Sequence, residues 1–421
     1  MTLDEELEDA VGTPVGAGEV HPAVRRARAW LSRVAEPGTI DFWRFVDDVG
    51  PVQAVRQVRA GSAPERIRTI VGVRAAQDES LADLSRAQRC DARLVIPEDD
   101  EWPAFALHAL TVATSREPAD HRDQPDRTLA PVPPVALWVR GPARLDELVE
   151  RSVAVVGSRA STAYGEHVAA ELGHQLGERG WTVVSGGAYG IDAAAHRGAL
   201  AAEAPTLAVL ACGVDRPYPA AHGALFHRIA EAGLLVSEWP PGCAPLRHRF
   251  LVRNRLIAAL TRGTVVVEAA ARSGAQATAK RAHRLGRHVM VVPGPVTSAM
   301  SVGCHELLRD EEAGATLVAS AAHVIEAVGS FGTDLAAPPE RPSSPRDGLS
   351  DLAARVLDAC PVRSGVSPDR LAAIAGCDVL EVLRVLPALE LADLVQWTDT
   401  GWRLAPPPRT SGRGGAPSGS R

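Results

Sequence analysis

Three stretches of this chain carry residues whose types and spacing suit the binding of phosphates. In the first, the apolar run of residues 153–156 ends at Gly157, Ser158 and Arg159 follow, and an amphipathic run begins near Tyr164. Gly157 permits a sharp turn. The loop after it offers backbone N–H groups, the Ser158 hydroxyl and the Arg159 guanidinium at a helix N-terminus, where the peptide dipoles favour an anion. The pattern is neither GxGxxG nor a loop ending in GK[ST], so neither a dinucleotide nor a nucleoside triphosphate follows from it, and an ordinary strand-to-helix turn fits the same residues. In the second stretch, residues 246–255 read LRHRFLVRNR, setting Phe250 among Arg247, Arg249, Arg253 and Arg255, with Asn254 between the last two. Cations that follow phosphates and a ring that stacks on any base are what single-stranded nucleic acid requires; core packing is the competing reading of Phe250. In the third, Arg272, Ser273 and Gly274 open a helix carrying Thr278 and Lys280, a second anion-binding terminus.

Nothing in these stretches demands catalysis. Ser158 does not sit in a GxSxG elbow, and Glu268 stands as a lone acid among bases, where a cap or an ion-pair partner is the expected role. The histidine pairs 222/227 and 283/288 lack acid or thiol neighbours at ligand spacing, so no metal and no cofactor is expected.

The elements that hold these loops alternate in type. Seven apolar runs, at residues 153, 181, 206, 234, 264, 288 and 315, are separated by helical patterns, which predicts an α/β fold with a mostly parallel, doubly wound sheet covered on both faces. In such a sheet ligands bind beyond the carboxyl ends of the strands, where all three stretches fall.

The 421 residues are 46% apolar and suffice for two or three domains. No run approaches the roughly 18 apolar residues of a membrane span, and the acidic start, MTLDEELEDA, does not resemble a signal peptide, so a cytoplasmic protein is expected. Six scattered cysteines without a CxxC pair read as free thiols. The net charge is −6, yet residues 239–305 hold ten bases against Glu268 alone, a local +9 that leaves −15 on the other 354 residues. Positive charge is thus gathered into one segment of an acidic chain.

Composition divides the chain into a small helical domain over residues 1–110, resembling sterile-alpha-motif or helix-hairpin-helix modules and equally compatible with a protein-contact module; an insertion and lead-in over 111–150; the core over 151–330; a Pro/Ser linker over 331–350; a winged helix-turn-helix over 351–405; and a disordered tail over 406–421. Within the winged helix, the helix at the recognition position, residues 378–391, carries three acids and only Arg384 as a base, favouring partner docking over entry into a DNA groove.

The motifs VAVVGSRASTAYG, VVSGGAYGIDAAAHRGAL, LACGVDRPYP, LLVSEWPPG, FLVRNRLIAAL, VVVEAAARSGAQATA and VVPGPV, in this order and spacing over about residues 90–330, resemble the DNA-processing protein A family, also called DprA or Smf. The resemblance implies a Rossmann-like core that binds single-stranded DNA without catalysis, forms a homodimer and loads RecA recombinase onto strands entering in natural transformation. It implies binding through Gly157, Ser158, Arg159, Arg247, Phe250, Arg253, Asn254, Arg255, Ser273 and Gly274, with Lys280 beside them. Tyr189 replaces a basic residue of the family pattern and could stack a base instead; His222, the run SGAQATA and the pair Cys304-His305 depart from it too. A nucleoside-monophosphate hydrolase of related fold is the competing class, but the expected PGGxGTxxE run is absent; a pure scaffold is the third. With both anion sites and the basic segment inside residues 130–330, that stretch alone is expected to bind DNA.

Overall fold

A Pro at the first helical position and His21 Nδ1, which accepts from Ala23 N at 3.1 Å, start α1 (Pro22–Val34). It is followed by α2 (Ile40–Val49), α3 (Pro51–Arg59), α4 (Glu65–Val71) and α5 (Ser80–Arg89), as the sequence pattern predicts. Trp30, Leu31, Phe42, Phe45, Val55 and Ile67 form the core between them. The chain then enters β1 (Ala92–Val95), α6 (Ala104–Arg116), β2 (Leu137–Arg140) and α7 (Leu145–Glu150). The computed structural model describes residues 20–116, 130–330 and 348–406, together with Leu3, Glu5, Asp334 and Arg346. The insertion expected near residues 115–128, most of the linker and nearly all of the tail lie outside these residues.

All seven predicted strands form: β3 (Ser152–Val156), β4 (Thr182–Ser185), β5 (Thr206–Leu210), β6 (Leu234–Ser237), β7 (Gly263–Val266), β8 (His288–Val291) and β9 (Thr316–Leu317). Their order is β1-β2-β6-β5-β4-β3-β7-β8-β9, parallel from β6 to β9, with β2 antiparallel to β6 and β1 antiparallel to β2. Successive residues of β3 serve opposite faces. Ala154 and Val156 join the layer of α11 (Arg247–Ala259), α12 (Gly274–Arg284) and α13 (Val302–Arg309). Val153 and Val155 join the layer of α8 (Ala163–Glu178), α9 (Ile191–Ala201) and α14 (Ala321–Val328). Between β5 and β6 runs α10 (Gly223–Ala232). The chain winds outward from β3 to β6 and then crosses to β7 on the other side of β3. The topological switch point therefore lies between the carboxyl ends of β3 and β7, where a crevice must open.

One boundary drawn from the sequence does not separate the elements on either side of it. The first 110 residues are not a separate domain, because β1 is a strand of the central sheet and Met1–Ala336 is one compact unit. Trp138 on β2 is fully buried against Ala29, Ala87 and Ile96, and its Nε1 donates to Ser32 Oγ at 3.3 Å. The N-terminal helices thus seal the antiparallel end of the sheet, and they cover a face of Trp138 that residues 130–330 alone would leave open. The second unit, Ala337–Arg421, holds α15 (Asp351–Ala359), α16 (Pro368–Ala375), α17 (Val379–Leu391) and the hairpin β10 (Val395–Thr398) with β11 (Gly401–Leu404) around its own core of Val356, Leu357, Leu371, Val382 and Leu386. Asp378 and Glu381 form a capping box that fixes the start of α17.

Candidate nucleic-acid interface

At the switch point lies an open cleft of about 940 Å³. The β3–α8 loop supplies Gly157, Ser158 and Arg159, the first two turns of α11 supply Arg247, Phe250, Arg253 and Asn254, and the β7–α12 loop supplies Arg272, Ser273 and Gly274. Nine of the twelve residues singled out from the sequence therefore share one wall-and-floor arrangement. Lys280 lines an adjoining hollow that shares Leu251, Arg272, Ser273 and Gly274 with the cleft. Arg247, Arg272 and Lys280 are exposed and make no ion pair among the described residues. Arg159 stacks its guanidinium over the Phe250 ring, 5.2 Å from the centroid, and Tyr218 meets the same ring edge-on at 5.8 Å. Phe250 is half-buried as part of the cleft wall, touching the small cluster of Ala211, Trp239 and Val252 rather than the main core.

The remaining residues fall elsewhere. Arg255 is 1% exposed and outside the cleft: its guanidinium pairs bidentately with Glu238 and its Nε donates to Val132 O at 2.7 Å. Tyr189 is exposed but does not line the cleft, resting edge-on against His222 at 4.7 Å. Arg253 lines the floor, 4% exposed, donating to the carbonyls of Gly186 and Val209, with its charge felt by Asp192. Burial lowers the Arg253 pKa to about 10, and burial pushes the Asp192 carboxyl up despite Arg253 and the N–H groups of Gly186 and Ala188. A Cβ on Gly186 would stand 2.3 Å from the Arg253 Nη2, so only glycine leaves that cation its seat.

Two expectations about the first anion site are corrected. Gly157 is required by close approach rather than by a turn, since a Cβ there would lie 2.5 Å from Ile191 Cγ1. The N-terminus of α8 is already satisfied: Glu268, 1% exposed, accepts from Thr162 N at 2.9 Å and from Thr162 Oγ1 at 2.6 Å, while Thr162 accepts from Gly165 N at 3.2 Å. The lone acid is thus a cap, as read from its isolation in sequence. It occupies the place that a phosphate at this terminus would take. Ser158 is also engaged in its own loop, accepting from Ala160 N at 3.1 Å. At the second terminus Ser273 caps α12 through Gln276 N at 3.3 Å, and nothing stands within 4 Å of a Cβ on Gly274, leaving that entrance open.

The local +9 overstates the charge offered to a ligand. Arg249 is neutralised by Glu36 at 2.7 Å and Arg255 by Glu238, two acids outside the basic segment. What faces the cleft is Arg159, Arg247 and Arg272, above the buried Arg253. Sequence reasoning gave no binding role to Tyr218, Asp192 or Met300, which also line the cleft. Tyr218 stood in a quoted motif, LACGVDRPYP, and its aromatic type beside a basic segment was the available signal. All six cysteines are free, and among the described residues no helix is long and apolar enough to cross a membrane.

Comparison with known proteins agrees with this architecture. Residues 115–329 match the family model described as DNA recombination-mediator protein A. The chain is 49% identical over 380 residues to a putative DNA processing protein DprA of Mycobacterium tuberculosis, covering 90% of this chain and 94% of that protein. It is 42% identical over 192 residues to the DNA processing protein DprA of Streptococcus pneumoniae, covering 46% of this chain and 66% of that one. The X-ray structure of DprA from Streptococcus pneumoniae superposes with a TM-score of 0.56 at 29% identity, over 72% of this chain and 97% of that chain. A mostly parallel α/β sheet with its loops gathered at one switch point, a family model matched across it and a relative alike over nearly the whole length place this chain in the DNA recombination-mediator protein A family, DprA/Smf, of DNA-processing proteins.

Proposed function

We propose that the cleft binds single-stranded DNA and catalyses no reaction on it. The observation that carries the reading is the convergence of Arg159, Arg247 and Arg272 with the Phe250 and Tyr218 rings on one open groove. Unpaired guanidinium groups suit successive phosphates, and a ring reachable from a groove suits a base. The adjoining hollow with Lys280 extends the positive surface past the mouth of α12, which favours a strand over one nucleotide. Against the hydrolase alternative, Glu268 is held by Thr162, and Asp192 by backbone N–H groups beside Arg253.

Family membership supports the finer reading: a cytoplasmic homodimer that protects strands taken up in natural transformation and loads RecA onto them. The C-terminal unit is read as a winged helix with α17 at the recognition position. Leu380, Leu383 and Leu391 are exposed on α17 among acids 378, 381 and 390, a surface for protein rather than for phosphates.

A gel shift of the full chain with single-stranded and duplex oligonucleotides of equal length tests the reading. Tighter retention of the single strand is expected; equal or stronger retention of duplex overturns it. Release of base or phosphate from nucleotides would restore the enzyme alternative.

A further inference from the structure

The first turn of α11 carries both Arg247 and Phe250, yet nothing in its own sequence fixes it: Leu246 at the N-cap offers no side-chain hydrogen bond. The fixing comes from far away in the chain. Glu36, just past α1, receives Arg249 Nη2 on Oε1 at 2.7 Å, and Arg249 Nε and Trp239 Nε1 on Oε2, both at 3.2 Å. Arg249 lies over the Trp239 ring at 5.4 Å and donates from Nη1 to Ala244 O at 2.9 Å, tying in the segment that leads to the helix. Next to Glu36 the loop backbone meets the following turn, where a Cβ on Gly38 would stand 3.1 Å from Val252. The His248 ring and the Arg74 guanidinium also stand by the carboxylate, at 3.8 and 3.5 Å. Arg249 is buried and does not line the cleft, and neither does Glu36.

We propose that Glu36 is a positioning residue for the cleft: through Arg249 it sets the first turn of α11, and with it Arg247 and Phe250, so that the N-terminal helices govern the affinity of a site to which they contribute no contact. The proposal rests on the single-strand reading of the cleft. Charge-assisted hydrogen bonds are the strong ones, and three of them converge here on one carboxylate. With the carboxylate gone, Arg249 would be left as a buried cation without its partner and would pull away toward water, carrying its helical turn with it.

The sign of the effect separates positioning from simple electrostatics. Removing a negative charge near a polyanion site should tighten binding if the field alone matters, whereas loss of positioning must weaken it. The experiment measures fluorescence anisotropy of a labelled oligo-dT with the full chain, wild type, Glu36→Gln, Arg249→Met and the double variant, together with amide hydrogen exchange. Each single variant is expected to bind about tenfold more weakly, equivalent to about 1.4 kcal/mol, with the salt slope flattened because the displaced turn carries the Arg247 phosphate contact. The double variant should be no weaker than either single one, and exchange should rise over residues 244–252 while the sheet stays protected. Tighter binding by Glu36→Gln, or additive losses in the double variant, would overturn the proposal. So would weaker binding accompanied by faster exchange throughout the sheet, which marks a structural role only. Failure of the wild type to bind oligo-dT overturns the reading of the cleft itself, an outcome distinct from wild-type binding with unaltered variants.

Discussion

Replacing Phe250 by alanine removes a ring that already has a partner in the free protein, and that fact sets the size of the effect. Stacking of a base on an aromatic side chain is worth ~1–3 kcal/mol. Here Arg159 covers the ring at 5.2 Å, an exposed cation–π contact of ~0.5–1 kcal/mol that a base must displace. The difference, roughly 0.5–2 kcal/mol, corresponds to a loss of about two- to thirtyfold in affinity for Phe250→Ala. Because the ring bears no charge, log affinity plotted against log salt should keep its slope, whereas Arg247→Ala should flatten it by ~0.7. The ring is only half-buried, touching Tyr218 and the small Trp239 cluster. The cost to folding should therefore fall below the ~3–5 kcal/mol of a fully buried phenylalanine. Anisotropy titrations of labelled oligo-dT at several salt concentrations, with thermal melts of each variant, measure all three quantities. A well-folded Phe250→Ala protein with unchanged affinity would refute the stacking reasoning, and a changed slope would show that the ring acts by holding Arg159.

Residues 130–330 produced alone should fail to melt cooperatively, because loss of β1 and the N-terminal helices uncovers Trp138. A tryptophan of ~150–250 Å² at ~25 cal/mol per Å² forfeits ~4–6 kcal/mol, much of a typical stability of ~5–15. A cooperative melt by circular dichroism would contradict this. Residues 1–336, by contrast, should fold and bind oligo-dT, since they hold one compact unit and the whole cleft; loss of binding in a well-folded truncation would move the site to the other unit. His196 is buried, with Nδ1 at 2.8 Å from Thr206 Oγ1, and burial lowers its pKa from 6.5 to about 3. The unfolded chain then takes up a proton that the folded one refuses, so the stability that His196 contributes is full above about pH 6.5 and is lost as pH falls toward 3, by up to ~1.4 kcal/mol per pH unit. Denaturation midpoints across this range should show a shallower fall for His196→Asn; parallel curves would refute it.

Legibility from sequence followed the distance over which each feature is decided. The parallel strands were readable because each is a short apolar run closed by Gly, Ser or Glu, and the binding loops because they follow those runs directly. The antiparallel strands β1 and β2 were not, since ARLV and LWVR pair across more than forty residues of chain that hold a helix instead of a tight hairpin turn. The fate of the arginines was hidden for the same reason. On α11 three consecutive residues, Arg253, Asn254 and Arg255, are all buried, a pattern that helical periodicity cannot generate. The burial of the two arginines depends on Glu238 and on the carbonyls of Gly186, just past β4, and of Val209 in β5, just as that of Arg249 depends on Glu36. Sequence likewise showed two helix termini ready for anions, whereas the fold spends one of them on Glu268.

The most direct test of the cleft as the binding site is photocrosslinking of a single strand carrying 5-iodouracil to the full chain, with the adducts located by mass spectrometry. The account predicts adducts on the peptides bearing Phe250 and Tyr218, diminished by competing unlabelled single strand more than by duplex. Adducts confined to residues 348–406 or to the N-terminal helices, with the cleft peptides unmodified, would contradict it.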